Sequence, residues 1–207
     1  LEDTLDFGYN LPMQQVTSNT EFDKKKFTSE VVAGAVVEKS GFSGCIFKRC
    51  DFSETIFRKC VFESCLFEDV NFSMAKLPNT RVSDCKFRSC KLIGIDWALL
   101  RGEMGIELDF SNCDLSYSTF FKVDISNSKF VDCKIHESDF TESVMRKVDF
   151  HGSDLSMSRF IKANLCGADF REAKNYYFDL RENRCKKAKF SQPEVLNLFD
   201  SFGIVVE

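Results

Sequence analysis

The sequence predicts an all-β fold of one kind, a parallel β-solenoid, and three observations carry that prediction. A large apolar residue returns at every fifth position, as Phe42, Phe47, Phe52, Phe57, Phe62, Phe67 and Phe72, and again from Phe110 through Leu115, Phe120, Ile125 and Phe130 to Phe170. Two positions before most of these centres stands a small residue: 18 of the 23 Phe fall on centres and 8 of the 10 Cys on small sites, far beyond chance. Five is also the wrong period for either regular element. On an α-helix, five residues rotate the side chain by about 140° and leave no apolar face; on a flat strand, an odd period sends successive centres to opposite sides. The pattern closes when each pentad is a short extended segment followed by a corner, with small site and centre both turned inward. Repeated corners wind the chain into coils stacked about 4.8 Å apart. Repeats of this kind bury a continuous core only by stacking.

Residues 1–20 carry Glu2, Asp3 and Asp6, no basic residue and no periodicity, and read as an N-terminal arm, partly disordered. Within it, residues 1–12 ahead of Met13 are open to being a native extension or an added sequence. The first solenoid segment, 21–97, opens with weak pentads, because Lys25 and Glu30 occupy small sites and Val32 and Val37 replace aromatic centres. Terminal repeats are expected to be atypical. The frame then holds through Leu77, Val82, Phe87, Leu92 and Trp97. Residues 98–109 interrupt it, and the second run is offset by three; a short helical turn ended by Gly102 or Gly105 fits there, as a hinge, a kink or a contact loop. The second segment, 110–190, has Ser at inward sites such as Ser118, Ser138 and Ser153, which need backbone partners. In 191–207, Ser191 with Glu194 forms a capping-box pattern and Phe190 with Val195 a hydrophobic staple, predicting a helix from about Gln192 to Ser201, a stop near Gly203 and an extended Ile204-Val205-Val206. Val195, Leu196, Leu198, Phe199 and Phe202 share one broad face of that helix, and with Ile204, Val205 and Val206 they exceed what capping one coil requires. These eight residues are the expected interface of a two-fold homodimer.

Composition excludes several classes. A net charge of -4 with 29% charged residues describes a mildly acidic, soluble chain, and neither a membrane span nor a secretory leader is expected. The Cys pairs are spaced by five and occupy positions taken elsewhere by Ala or Ser, so they read as compact buried residues of a reducing cytoplasm. His136 and His151 lack metal-ligand spacing, and no phosphate loop or nucleophile-base pair appears. No catalytic residue, metal site or cofactor is therefore predicted.

The pentad Cys113-Asp114-Leu115-Ser116, with Ser153-Asp154-Leu155-Ser156 and Ala168-Asp169-Phe170, resembles the motif of the pentapeptide-repeat family over about 20–190. That resemblance implies a right-handed quadrilateral parallel β-helix of twenty residues per coil, with the C-terminal helix as cap and dimer contact. Asp179, Asn183, Lys187-Ala188-Lys189-Phe190-Ser191, Pro193-Glu194 and Gly203-Ile204-Val205-Val206 look like the C-terminal signature of the Qnr, albicidin-resistance and microcin-immunity group. Cys90-Lys91-Leu92-Ile93-Gly94-Ile95-Asp96-Trp97 is similar to it as well. The resemblance implies a non-enzymatic mimic of DNA that binds DNA gyrase or topoisomerase IV, dimerises through its C-terminal end and protects the enzyme from its poisons. It also implies no direct nucleic-acid binding and no membrane partner. The long loops of many Qnr proteins are missing here.

Charge gives the mimicry idea a location. Residues 21–100 carry 13 basic and 11 acidic side chains and residues 101–190 carry 15 of each, so the rod is not acidic in total. Sorted by every fourth pentad, however, the face of Phe110, Phe130, Phe150 and Phe170 presents Asp109, Asp132, Asp149, Asp169 and Glu172 against Lys129 and Arg171. The preceding face presents Arg146, Lys147, Arg184, Lys186 and Lys187 against Asp124. The acidic five are the predicted partner-binding residues. An interaction scaffold with an unrelated partner is the alternative reading.

Overall fold

A computed structural model describes residues 19–102 and 105–204. Short parallel strands of three residues stack in a right-handed, four-faced solenoid. Face 1 carries β1 (Glu21–Asp23), β4 (Gly41–Ser43), β7 (Val61–Glu63) and β9 (Arg81–Ser83). Face 2 carries β2 (Lys26–Thr28), β5 (Ile46–Lys48), β8 (Leu66–Glu68), β10 (Lys86–Arg88), β11 (Asp109–Ser111) and β12 (Lys129–Val131). Face 4 carries β3 (Val36–Glu38) and β6 (Ile56–Arg58), and face 3 is joined by single bridges such as Asp51 to Asn71. Partners are twenty residues apart, as in Phe47 opposite Phe67, so four pentads make one coil.

The centres fill the interior. On face 2, Phe27, Phe47, Phe67, Phe87, Phe110, Phe130, Phe150, Phe170 and Phe190 form one column with ring centroids 4.8 to 5.4 Å apart. Burying each ring is worth about 1.5–3 kcal/mol, and stacked pairs add about 0.5–1.5 kcal/mol. Many of the small sites are satisfied by the coil before. Thr55 donates to the Val32 carbonyl at 2.8 Å, Thr80 to Phe57 at 2.7 Å and Ser153 to Phe130 at 2.7 Å. Cys60 and Cys65 aim their thiols at the Val37 and Phe42 carbonyls in the same way. Burial pushes the Cys50 and Cys60 thiols up from their ordinary range, which keeps them protonated as donors.

Each corner turns at the second residue after a centre. That residue has φ near +50 to +65° in non-glycine positions such as Lys59, Asn127 and Glu142. Where the corner is tight, the following small site donates back to the centre, as Ser128 to Ile125 at 3.1 Å, in the manner of a type II turn.

At 98–109 the coil lengthens but does not break. Phe87 pairs with Phe110, a separation of 23 instead of 20, and Trp97 stacks on Phe120 at 5.6 Å. The three added residues are accommodated on face 1, where Leu100, Ile106 and Leu108 are buried in place of a regular pentad. The helical turn lies earlier than expected, as a 3-10 turn over Trp97–Leu99 capped by the Asp96 carboxylate. Gly105 has φ +93° and sits where a Cβ would press on the Asp124 carbonyl.

The C-terminal helix also differs from expectation. It is a 3-10 helix over Glu194–Phe202, and no capping box forms. The Ser191 hydroxyl instead accepts the Glu172 N–H at 2.9 Å, because Ser191 still belongs to the last coil. Gly203 ends the helix in a left-handed conformation, its N–H bonded to the Asp200 and Phe199 carbonyls. Val205 and Val206 lie outside the described residues.

Candidate partner-binding face

The residue before each centre points outward, and strand register sets Lys86, Asp109, Lys129, Asp149, Asp169 and Lys189 in a single column of face 2. Three of the predicted acids therefore share a column, with Lys129 between Asp109 and Asp149. Asp132 and Glu172 occupy the corner beside that column, two coils apart, and both are exposed. Gly152 lies between them, with the Asp132 carboxylate resting across it.

Three of these carboxylates, those of Asp149, Asp169 and Glu172, have structural partners. The Asp149 carboxylate accepts the His151 N–H at 3.0 Å, and that of Asp169 accepts the Arg171 N–H at 3.2 Å, each holding its corner as an Asx turn. The same contact recurs at Asp51, Asp114, Asp124, Asp139 and Asp154, which explains why Asp precedes so many centres. Asp169 also receives Arg171 at 2.7 Å and Lys189 at 3.2 Å. The Arg171 guanidinium, followed by the backbone N–H and Lys189, holds the Asp169 carboxyl well below the usual carboxylate range against its desolvation. Glu172 lies 3.4 Å from His151.

On face 1 the basic set is placed by the same register, and Arg146 reaches Asp124 at 3.5 Å. Many of the ion pairs join neighbouring coils, including Lys134 with Asp114 at 3.4 Å and Lys122 with Glu142 at 3.5 Å. In-register stacking brings like side chains about 4.8 Å apart, so alternating sign down a column relieves repulsion. The five-residue pattern does not show this alternation, whereas a comparison of charges twenty residues apart does.

At the C-terminal end, Leu198 is buried and Val195 packs against the last coil. Leu196 and Phe199 are half-buried. Phe202 and Ile204 are exposed, the Phe202 ring lying 5.0 Å from the Arg181 guanidinium. Among the described residues no group of three or more His, Cys, Asp or Glu side chains is placed to hold a metal ion. No helix among them is long and apolar enough to cross a membrane.

The family model of the pentapeptide repeat region matches residues 40–101 and 107–180, on either side of the irregular stretch. The chain belongs to the pentapeptide-repeat family. Among solved structures this pentapeptide-repeat chain is similar to QnrB1, a plasmid-mediated fluoroquinolone resistance protein. A trypsin-treated variant of QnrB1 aligns with a TM-score of 0.62 at 21% identity, over 92% of this chain and 97% of that one. Full-length QnrB1 aligns with a TM-score of 0.52 at 20% identity, over 90% and 100%. No curated protein matches the sequence.

Proposed function

We propose that this pentapeptide-repeat protein binds bacterial DNA gyrase or topoisomerase IV in the cytoplasm, catalyses no reaction itself, and protects that enzyme from its poisons. The observation that supports this reading is the correspondence with QnrB1, a fluoroquinolone resistance protein, along almost the whole of both chains. Physically, a groove built for duplex DNA presents cations to closely spaced phosphates. A stiff rod with Asp109, Asp149 and Asp169 in one column and Asp132 and Glu172 beside it offers carboxylates at multiples of one coil, about 4.8 Å. Docking of that face excludes DNA from the groove and so limits poison-trapped complexes. A homodimer through Leu196, Phe199, Phe202 and Ile204 doubles the rod.

The direct test is DNA supercoiling by purified gyrase at a fixed inhibitory fluoroquinolone concentration, with this protein titrated in. Recovery of supercoiling at low micromolar protein is expected. Neither inhibition of gyrase nor rescue from any poison would remove the reading and leave the unrelated scaffold.

A further inference from the structure

We infer that face 3 and the corner that follows it form a self-complementary surface on which a second copy of this chain packs antiparallel. Three corner columns carry charged, polar or glycine residues at their left-handed positions, Leu99 in the 3-10 turn excepted. The corner after face 3 carries Met74, Gly94, Tyr117, Glu137 and Met157 on successive coils. Met74, Tyr117 and Met157 are 55%, 61% and 81% exposed. Their apolar side chains contribute nothing to the core, and exposed apolar ridges of this kind mark contact surfaces.

The order of these residues selects the occupant. Met74 lies across Gly94, so the two form one apolar seat at one end of the ridge, and Met157 stands at the other. Between them are Tyr117 and Glu137, whose phenol and carboxylate make no hydrogen bond among the described residues. A two-fold axis across the midpoint between Tyr117 and Glu137 sets Tyr117 against Glu137 of the second copy. It also sets Met157 against the Met74–Gly94 seat.

The flanking columns obey the same axis. On face 3, Lys91, Asp114, Lys134 and Asp154 follow one another in register, so Lys91 meets Asp154 and Asp114 meets Lys134. On the other flank, Asp96, Thr119, Asp139 and Arg159 do likewise: Asp96 meets Arg159 and Thr119 meets Asp139. Ser73, Ser116 and Ser156 fold their hydroxyls back onto Asn71, Asp114 and Asp154, which keeps the strip between flank and ridge low. A parallel pair would exchange the two flanks and set each ridge residue against itself, Glu137 on Glu137. A slip of one coil in the antiparallel pair sets Lys91 against Lys134, like charge on like. A slip of two coils restores the charges but sets Glu137 against a methionine. The ridge thus fixes the direction, and flank charge and ridge together fix the register. Four coils make a narrow strip, so the contact belongs with weak, small interfaces. It is separate from the tail contact.

Sedimentation of the full chain up to about 100 μM tests this, with far-UV circular dichroism to show that each variant folds. Concentration-dependent dimerisation is expected to persist in Phe199→Asp, which removes the tail contact. Within that background, Tyr117→Glu places two carboxylates together and weakens association by at least about tenfold. Adding Glu137→Lys to Tyr117→Glu restores it to within about threefold. Phe199→Asp protein that stays monomeric, Tyr117→Glu that associates like its parent, or a double variant that does not recover would each overturn the inference.

Discussion

The residue two places after each centre bears a backbone constraint that the rhythm of the centres conceals. Its φ is positive at corner after corner, yet glycine fills only a minority of these positions. From Lys24 to Glu172 none of these corner residues is Val, Ile or Thr, the types least tolerant of a left-handed backbone. Glu142→Val is therefore expected to cost about 1–2 kcal/mol in urea unfolding, and Glu142→Gly to stay near wild type. Equal stability of the two variants would contradict the corner geometry. The absence of β-branched residues was legible in the sequence, but it acquires meaning only once the corner is located. The Asp before a centre is another such case, since its carboxylate serves the turn before it serves any partner. At Asp154, burial pushes the carboxyl up, and hydrogen bonds from Ser156 and Asn175, with the His136 ring 3.0 Å away, outweigh it and bring it to about 2. The folded value lies below the unfolded value of about 3.9, so the stabilisation is present above pH 4 and is lost as the pH falls toward 2. Asp154→Asn should melt below wild type at pH 6, with the two melting temperatures converging by about pH 2. A gap that persists at pH 2 would assign its effect to lost shape, not charge.

Among the elements, the regular pentads were legible and the two irregular stretches were not fully so. The offset of three at 98–109 was visible, but Ile106 stands nine residues after Trp97, a spacing that no five-residue rule anticipates. The solenoid absorbs the surplus on one face because the neighbouring Phe87–Phe110 and Trp97–Phe120 stacks hold the coil closed. At the tail, local pattern competed with tertiary structure. Ser191 and Glu194 match a capping box, yet the Glu172 N–H in the last coil claims the Ser191 hydroxyl, and the helix starts later and winds more tightly. Its inner side, Leu198 and Val195, closes the core, while Phe199 stays half-buried and Phe202 exposed. If the tail forms the proposed two-fold contact, Phe199→Asp removes the end-to-end species in sedimentation and leaves the melting temperature within a few degrees of wild type. An undiminished end-to-end dimer would move the interface elsewhere.

For the molecule as a whole, a column of nine phenylalanine rings makes the fold legible from sequence and says little about what the rod touches. Recognition depends on the exterior, where register decides which charges are neighbours. Asp109, Asp149 and Asp169 come to share a column only because coils are twenty residues long, and Asp169 carries Arg171 and Lys189 as its own partners. Composition alone, near neutrality along the rod, hides that placement. On the function proposed above, duplex DNA and this protein compete for the same groove of the enzyme, through exposed Asp132 and the column beside it. The most direct measurement is displacement of labelled duplex DNA from gyrase by the wild-type protein and by Asp132→Lys, Asp149→Lys and Asp169→Lys combined. Wild type should displace the DNA, with displacement weakening as salt rises, and the triple variant should need at least about tenfold more protein. Displacement by the folded triple variant at wild-type concentrations would contradict the acidic face as the contact.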